Sequence, residues 1–319
     1  MNRSDIEAAA RIVYKSMPPT PQYRWPLLCD RLGVELWLKH ENHSPVGAFK
    51  VRGGLVYFDS NAETLRRLGK GVICATRGNH GQSIAFAAAK YDIPVTILVP
   101  HGNSVEKNAA MRGLGATLIE SGQDFQQSLD DALRMADRQG LHFVPSFEDS
   151  LVCGVATYSL ELLTAVDGLD VLYVPIGLGS GICGALAARD ALGLKTEIVG
   201  VVSANAPAYL RSFEAGRAVE CEANTRIADG MACRKPHDEA LPIVLENVSR
   251  IVAVTDEQVE QAMRDVFECT HNVAEGAGAA AIAAITVEAT RLKGKKVAAP
   301  ICGGNVDRDV FAKVLSDGA

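Results

Sequence analysis

The sequence predicts an α/β protein made of two three-layer α/β/α domains with mostly parallel sheets. Short runs rich in valine, isoleucine and leucine alternate along the chain with amphipathic stretches of helical length. Continuous apolar strands that alternate with helices are typical of parallel sheets covered on both faces. The chain has 319 residues, of which 48% are hydrophobic. It is therefore long enough for two domains that share a cleft.

The apolar runs are the predicted strands, and the amphipathic stretches between them are the predicted helices. Strands are predicted at 34–38, 72–75, 95–99, 117–119, 171–175, 198–202, 251–254 and 297–301. Helices are predicted at 82–90, 105–114, 125–136, 258–269 and 280–292. The run of small apolar residues at 276–287 is predicted to be a buried helix, because it is too short to span a membrane.

Composition excludes several classes of function. The formal net charge is −6 and no basic block occurs, which argues against a nucleic-acid partner. The first residues lead into a mixed polar helix and not into an apolar signal core, so we expect a cytoplasmic protein. The eight cysteines form no CxxC pair, which favours free thiols in a reducing compartment.

Three glycine-rich turns, at 76–81, 177–181 and 303–305, directly follow predicted strands. Sites in parallel sheets form at these carboxyl ends. Backbone N–H groups converge at 177–181 before a predicted helix, an arrangement that favours an anion. The segment 179–184 also matches the dinucleotide fingerprint, but the next strand ends without the acid that would hold a ribose. A small phosphorylated cofactor is favoured, with a nicotinamide enzyme and a structural turn as alternatives.

Lys50 is the most informative residue. Gly47, Gly53 and Gly54 surround it and are expected to let the backbone approach a ligand closely, and Phe49 can pack beside a flat ring. A lysine that forms an imine and a backbone nest that holds a phosphate are what pyridoxal 5'-phosphate requires of a protein. The sequence therefore predicts this cofactor.

The segment 41–54 resembles the lysine motif of the serine/threonine dehydratases and serine racemases. These are fold type II pyridoxal-phosphate enzymes, with the tryptophan-synthase-β-like fold. The resemblance runs from Thr20 to Asp307, and four motifs match in order and spacing. It implies a large cofactor-binding domain at 1–52 plus 149–319, a small mobile domain at 53–148, and a homodimer.

The resemblance also assigns residues to roles. Lys50 resembles the Schiff-base lysine and the base that removes the Cα proton, and Asn79 resembles the side chain that binds the cofactor's ring oxygen. The matched substrate-carboxylate loop is Thr76, Arg77, Gly78, Asn79 and His80. The matched cofactor positions are Lys50, Phe49, Asn79, Gly177, Leu178, Gly179, Ser180, Gly181, Glu275 and Cys302.

Cys302 falls where relatives place serine or cysteine beside the pyridine nitrogen. A neutral thiol makes the ring a weaker electron sink than a carboxylate would, and this suits β-elimination. The resemblance thus implies an ammonia-lyase that converts a β-hydroxy-α-amino acid of the threonine, serine or 3-phenylserine type to a 2-oxo acid and ammonia. An amino-acid racemase and a 3-hydroxyaspartate dehydratase are the alternatives.

Departures from the family pattern narrow these alternatives. Arg77 stands where racemases carry a serine base, and an arginine cannot exchange a proton, which disfavours racemisation. Val202 and Ala208 stand where many relatives place two carboxylates around a divalent cation, so no metal site is predicted and 3-hydroxyaspartate is disfavoured.

Two further departures lie close to the lysine. Val46 and Ala48 replace hydroxyl residues, which predicts a larger or drier pocket suited to a bulky β-substituent. The chain ends soon after the 303–305 turn, so we expect no appended regulatory domain.

Overall fold

The computed structural model describes residues 1–317, which build two sheets. The larger sheet has six strands in the order β1-β2-β10-β7-β8-β9, and the smaller has four in the order β5-β4-β3-β6. The strands are β1 (Gln22–Arg24), β2 (Glu35–His40), β3 (Val72–Ala75), β4 (Val95–Val99), β5 (Thr117–Glu120), β6 (His142–Phe143), β7 (Val171–Pro175), β8 (Glu197–Ser203), β9 (Arg250–Val254) and β10 (Lys296–Ile301). Neighbouring strands pair in parallel except β1, which pairs antiparallel with β2.

Helices fill most of the connections between the strands. They are α1 (Arg3–Val13), α2 (Pro26–Leu32), α3 (Lys50–Leu68), α4 (Asn79–Ala89), α5 (Val105–Gly113), α6 (Phe125–Gln139), α7 (Asp149–Ala165), α8 (Ser180–Ala191), α9 (Ala208–Ala215), α10 (Ala240–Asn247), α11 (Asp256–Thr270), α12 (Gly276–Val287) and α13 (Arg308–Ser316). Within residues 1–317, none of these helices is both long and apolar enough to cross a membrane.

Both sheets are buried on their two faces. In β7, Val171 and Tyr173 pack into one hydrophobic cluster while Leu172 and Val174 pack into another on the opposite face. The strand β3 divides in the same way between two further clusters. Alternate residues of a strand point to opposite faces, so this division shows a covered layer on each side of each sheet. The three-layer architecture with mostly parallel sheets is confirmed.

Most predicted elements appear close to their expected bounds, but the helix predicted at 280–292 is displaced, because α12 spans Gly276–Val287 and a separate 3-10 turn covers Ala289–Leu292. All eight predicted strands are present to within two residues at each end, and the buried helix at 276–287 is α12. The strands β1 and β6 were missed because three and two residues are too few to show a period. The domain boundaries at 53 and 148 stay a prediction, and residues 318 and 319 of the larger predicted domain lie outside the described residues.

The glycines around Lys50 have a different role from the one expected. Lys50 is the first residue of α3, and Gly53 and Gly54 lie within that helix. A Cβ on Gly53 would lie 2.8 Å from the carbonyl oxygen of Leu151 in α7, and a Cβ on Gly54 would lie 2.4 Å from the hydroxyl of Ser83 in α4. The two glycines therefore allow helices, and not a ligand, to approach α3 closely.

A buried ionic cluster fixes the first turn of α3. Arg52 has no exposed side-chain surface, and its guanidinium binds both Glu41, at the end of β2, and Glu161, in α7, through two nitrogens each at 2.6–2.9 Å. Its remaining bonds go to the hydroxyls of Thr20 and Thr157. Lys39 adds a second buried ammonium 2.5 Å from Glu161. Because every charge in the cluster has partners, its burial is tolerated.

Replacement of Arg52 should therefore be costly. Arg52→Leu leaves Glu41 without its cation in the protein interior, so we expect the free energy of unfolding to fall by about 3–5 kcal/mol. Urea denaturation followed by circular dichroism measures this. The matched control is Arg67→Leu, whose ion pair with Glu63 is exposed and should contribute less than about 1 kcal/mol. Equal losses in the two variants would contradict the assignment.

Candidate active site

A cavity of about 440 Å³ lies between the two sheets, at the carboxyl ends of their strands. Residues from both sheets and their connections line it. All fourteen residues that the sequence predicted for the site are on its wall: Phe49, Lys50, Thr76, Arg77, Gly78, Asn79, His80, Gly177, Leu178, Gly179, Ser180, Gly181, Glu275 and Cys302. The structure thus brings together residues from Phe49 to Cys302, which are far apart in the sequence, and the individual roles of these residues stay predictions.

The amine of Lys50 faces the 177–181 turn across the cavity. Its Nζ donates a hydrogen bond of 2.7 Å to the hydroxyl of Ser180 and lies 5.1 Å from the centre of the Phe49 ring. Burial disfavours the charged ammonium and lowers the pKa of Lys50 to about 8. A substantial fraction of Lys50 is therefore a neutral amine near physiological pH, as a nucleophile or base requires.

The 177–181 turn links β7 to α8 and lines the cavity. Gly179 has a φ of 108°, and a Cβ there would lie 2.6 Å from the Cβ of Ala240 and 2.9 Å from the hydroxyl of Tyr209. The same tyrosine hydroxyl donates to the carbonyl of Leu178 and holds the turn from behind. Since the turn ends at the N-terminus of α8, it suits a phosphate.

The 76–80 segment turns from β3 into α4. The hydroxyl oxygen of Thr76 accepts hydrogen bonds from the N–H groups of Gly78, at 2.9 Å, and Gly81, at 3.3 Å. The first N–H groups of a helix have no acceptor within the helix, so those of Asn79 and His80 remain for a ligand. The helix begins three residues earlier than predicted, and this places Asn79 in its first turn.

Two polar side chains of this segment carry buried atoms without a partner. The Nε of Arg77 and the Nε2 of His80 have no hydrogen-bond partner within the described residues. Burial, with a smaller effect of Lys50, lowers the pKa of His80 to about 3, so its imidazole is neutral. Buried polar groups are rarely left unpaired, and such atoms on a cavity wall fit a polar ligand.

Opposite the turn, the cavity is lined by Cys302, Glu275 and Asn79. Burial raises the pKa of the Cys302 thiol, which stays protonated and donates to the carbonyl of Ala277 at 3.4 Å. The amide of Asn79 donates to Glu275 at 2.6 Å. This wall therefore presents a neutral thiol and an amide held in place by a carboxylate.

Sequence reasoning missed Lys107 and Asp229, which also line the cavity. The Nζ of Lys107 lies 2.9 Å from Asp229 and 3.1 Å from Glu275. Lys107 lies in the predicted amphipathic helix 105–114, where a lysine is ordinarily solvated, and no motif contains it. Lys107 can be recognised as a site residue only from its contacts with Asp229 and Glu275, which are distant from α5 in the sequence.

Val46 and Ala48, which differ from the family pattern close to Lys50, do not line the cavity. Val46 and Ala48 are buried and are not among the residues that line it. Ala48 pairs with Gly303 in an isolated β-bridge, and the carbonyl of Ala48 accepts a hydrogen bond from the hydroxyl of Ser44. The expectation that they enlarge or dry the pocket is therefore wrong, because they pack against the 303–305 turn.

Val202 and Ala208 are buried as well. Within residues 1–317, no group of three or more His, Cys, Asp or Glu residues could hold a metal ion.

Comparison with known proteins agrees with this geometry. The family of pyridoxal-phosphate dependent enzymes matches residues 13–303. The chain belongs to this family. It is 34% identical to an L-threonine ammonia-lyase of Thermotoga maritima, over 98% of this chain and 78% of the relative. It is 31% identical to an L-threo-3-hydroxyaspartate ammonia-lyase of Saccharomyces cerevisiae, over 98% of this chain and 95% of the relative.

A solved structure is similar over almost the whole chain. Threonine deaminase isoform 2 from Solanum lycopersicum, in its processed form, superposes with a TM-score of 0.90 at 28% identity, covering 98% of this chain and 86% of that one. The predicted fold type II family is thereby confirmed.

The cofactor of this pyridoxal-phosphate enzyme fits the residues on the cavity wall. The N–H groups of the 177–181 turn and the dipole of α8 suit its phosphate, and the buried amine of Lys50 suits its aldehyde. The neutral thiol of Cys302 and the amide of Asn79 suit the nitrogen and oxygen of its ring. The site thus offers a polar partner for each polar group of the cofactor.

The left-handed conformation of Gly179 gives a test of the phosphate turn. Gly179→Ala forces a Cβ against Ala240 and strains the backbone by about 1–3 kcal/mol, so we expect pyridoxal phosphate to bind about tenfold more weakly or worse. Titration of the apoprotein followed by visible absorbance measures the affinity. Gly181→Ala is the comparison, since its Cβ would lie an ordinary 3.7 Å from the Phe49 ring. A larger effect at Gly181 would contradict this account of the turn.

Proposed function

We propose that the enzyme is an ammonia-lyase that converts a β-hydroxy-α-amino acid of the threonine, serine or 3-phenylserine type to a 2-oxo acid and ammonia. One observation carries the proposal. Three lysines line the cavity, and Lys107 and Lys235 are paired with carboxylates, whereas Lys50 faces only the Ser180 hydroxyl within the described residues. The site therefore has a single free amine as base.

Different residues of the cavity wall would carry out different steps of the proposed elimination. When bound, pyridoxal phosphate withdraws electrons from Cα, moderately so where its ring nitrogen meets a thiol in place of a carboxylate. The neutral Nζ of Lys50 accepts the Cα proton, and its lowered pKa favours the form that can do so. The N–H groups of Asn79 and His80 hold the α-carboxylate at the start of α4. Loss of water and then hydrolytic loss of ammonia leave the 2-oxo acid.

The racemase alternative needs a second base on the opposite side of Cα. Arg77 lines the cavity and stands where the resemblance places the serine base of racemases. A guanidinium does not give up its proton at physiological pH. Elimination needs only the one amine. The names of the relatives also favour a lyase, since two of those above are ammonia-lyases and one is a threonine deaminase.

A 3-hydroxyaspartate-type substrate is the second candidate. Arg77 lines the cavity, its Nε is buried without a partner, and no carboxylate of the described residues pairs with it. A guanidinium in this situation suits a distal carboxylate on the substrate. One of the relatives is named for L-threo-3-hydroxyaspartate.

The remaining features of the proposal concern the whole molecule. We infer that residues 53–148 form the small mobile domain, which closes over the substrate and excludes water from the reacting Cα. The enzyme is proposed to be a cytoplasmic homodimer that uses no metal ion.

Removal of Lys50 tests the base directly. Lys50→Ala should lose the visible absorbance of the covalently held cofactor, and ammonia release should fall by several orders of magnitude, because no other free amine lines the described cavity. Spectroscopy and an ammonia assay measure the two effects. The control Lys90→Ala removes an exposed lysine that lies over Phe86 and should change neither. A yellow and fully active Lys50→Ala protein would refute the proposal.

A substrate panel separates the candidate activities. We expect ammonia and a 2-oxo acid from β-hydroxy amino acids, no change of configuration at Cα, and the same rates with a chelator present. Ammonia assays and chiral chromatography measure this across threonine, serine, 3-phenylserine and 3-hydroxyaspartate. Arg77→Met should reduce turnover of 3-hydroxyaspartate alone if Arg77 binds a distal carboxylate. An equal loss on all substrates would assign Arg77 to the α-carboxylate instead.

A further inference from the structure

Five polar side chains form a continuous chain of contacts across the cavity. Asn305 donates to Asn79 at 2.9 Å, Asn79 donates to Glu275 at 2.6 Å, and Glu275 faces the ammonium of Lys107, which also binds Asp229. We call this set the polar chain. Its members come alternately from the connections of the six-stranded and four-stranded sheets, so each contact crosses the cleft.

The direction of the hydrogen bonds in the polar chain is fixed at one end. The backbone carbonyl of Val46 can only accept, and it takes a hydrogen bond of 2.8 Å from the amide nitrogen of Asn305. The same NH₂ group donates to the carbonyl oxygen of Asn79, which therefore presents its own NH₂ group to Glu275. Glu275 must accept from Asn79 on one oxygen and faces Lys107 on the other.

The two neighbours of Glu275 favour its ionised form. An ionised carboxylate only accepts, whereas a protonated one must donate from one oxygen. Both neighbours of Glu275, the amide of Asn79 and the ammonium of Lys107, are donors. These two donors favour the ionised form of Glu275, whose side chain is only 3% exposed and whose Oε2 lies 3.1 Å from the Lys107 ammonium without accepting a hydrogen bond within the described residues.

Burial works against that ionised form. Desolvation is the largest cause and holds the pKa of Glu275 above its usual value; the charge of Lys107 and the Asn79 hydrogen bond lower this pKa, whereas the charge of Asp229 raises it. Burial also disfavours the ammonium of Lys107, but its two carboxylate partners outweigh burial and hold the pKa of Lys107 above its usual value. The titratable groups that face Glu275 are Lys107 of α5, Asp229 and Cys302.

We infer that Lys107 is a positioning residue that keeps Glu275 ionised and directed at Asn79 beside the cofactor. The inference rests on the proposed function only for its kinetic readout. Lys107 reaches this position because the adjacent loop residue is Gly78: a Cβ there would lie 2.4 Å from Cδ of the lysine side chain. The absence of a side chain at Gly78 thus leaves the space that the Lys107 side chain occupies.

Two substitutions should move the pH profile in opposite directions. Activity that needs ionised Glu275 is lost as the pH falls through the pKa of this carboxyl group. Lys107→Met removes the opposing cation, which raises that pKa and moves the acid limb of the kcat profile to higher pH. Asp229→Asn removes a neighbouring negative charge, which lowers that pKa and moves the acid limb to lower pH. Structural damage would not produce opposite shifts.

The expected loss of kcat in Lys107→Met follows from the fraction of Glu275 that is ionised. Each pH unit by which the limb moves changes kcat about tenfold on its acid side, so we expect Lys107→Met to lose about tenfold or more at neutral pH. Raising the pH should restore its activity. Glu275→Gln cannot ionise and should stay low at every pH, and Lys107→Met should cause no further loss when combined with Glu275→Gln.

Controls and an independent readout complete the experiment. Lys107→Arg keeps the cation and should leave the acid limb near its wild-type position, and Lys90→Met, which changes an exposed residue directly after α4, should leave the whole profile unchanged. The pH titration of the holoenzyme's visible absorbance should show the same opposite shifts without turnover. If the wild type released no ammonia, the proposed function would fail while this titration still tested Lys107. Shifts in one direction, or none, would overturn the inference; if Lys107→Met does not fold, Asp229→Asn and Lys107→Arg decide it.

Discussion

The guanidinium of Arg52 joins three parts of the molecule that are distant in sequence. It contacts the end of β2 through Glu41, α7 through Glu161 and the N-terminal segment through Thr20, and it lies two residues after Lys50. Because loss of one partner of a buried ion pair is costly, these contacts hold the start of α3 in place. The orientation of the Lys50 amine towards the phosphate turn follows from this constraint.

Several glycines near the site allow neighbouring helices and side chains to pack closely. The glycines in α3 let α4 and α7 lie against it, and Gly78 and Gly303 leave room for the side chains of Lys107 and Glu275. A Cβ on Gly303 would lie 2.3 Å from Glu275. Neighbouring protein groups occupy the space at these positions, so these glycines allow protein elements to pack closely around the cavity.

Much of the fold and of the cavity wall follows from sequence. Strands with continuous apolar runs, such as β3 and β7, are evident because both faces are buried, and motif order brings the site residues to one cavity. What sequence could not provide depends on tertiary contact. The edge strand β1 is too short and polar for a pattern. Lys107 acquires its role only where α5 meets Asp229 and Glu275, and no local signal distinguishes it from a solvated lysine.

The alternation of the polar chain across the cleft has a thermodynamic consequence. Any movement that separates α5 from α12 takes Lys107 away from Glu275 and also returns water to this carboxyl group. Burial is the largest cause that raises the pKa of Glu275 and Lys107 lowers this pKa, so opening of the cleft and protonation of Glu275 are linked equilibria in which each process biases the other equally. The domain closure proposed above is thereby linked to the charge of one carboxyl group on the cavity wall.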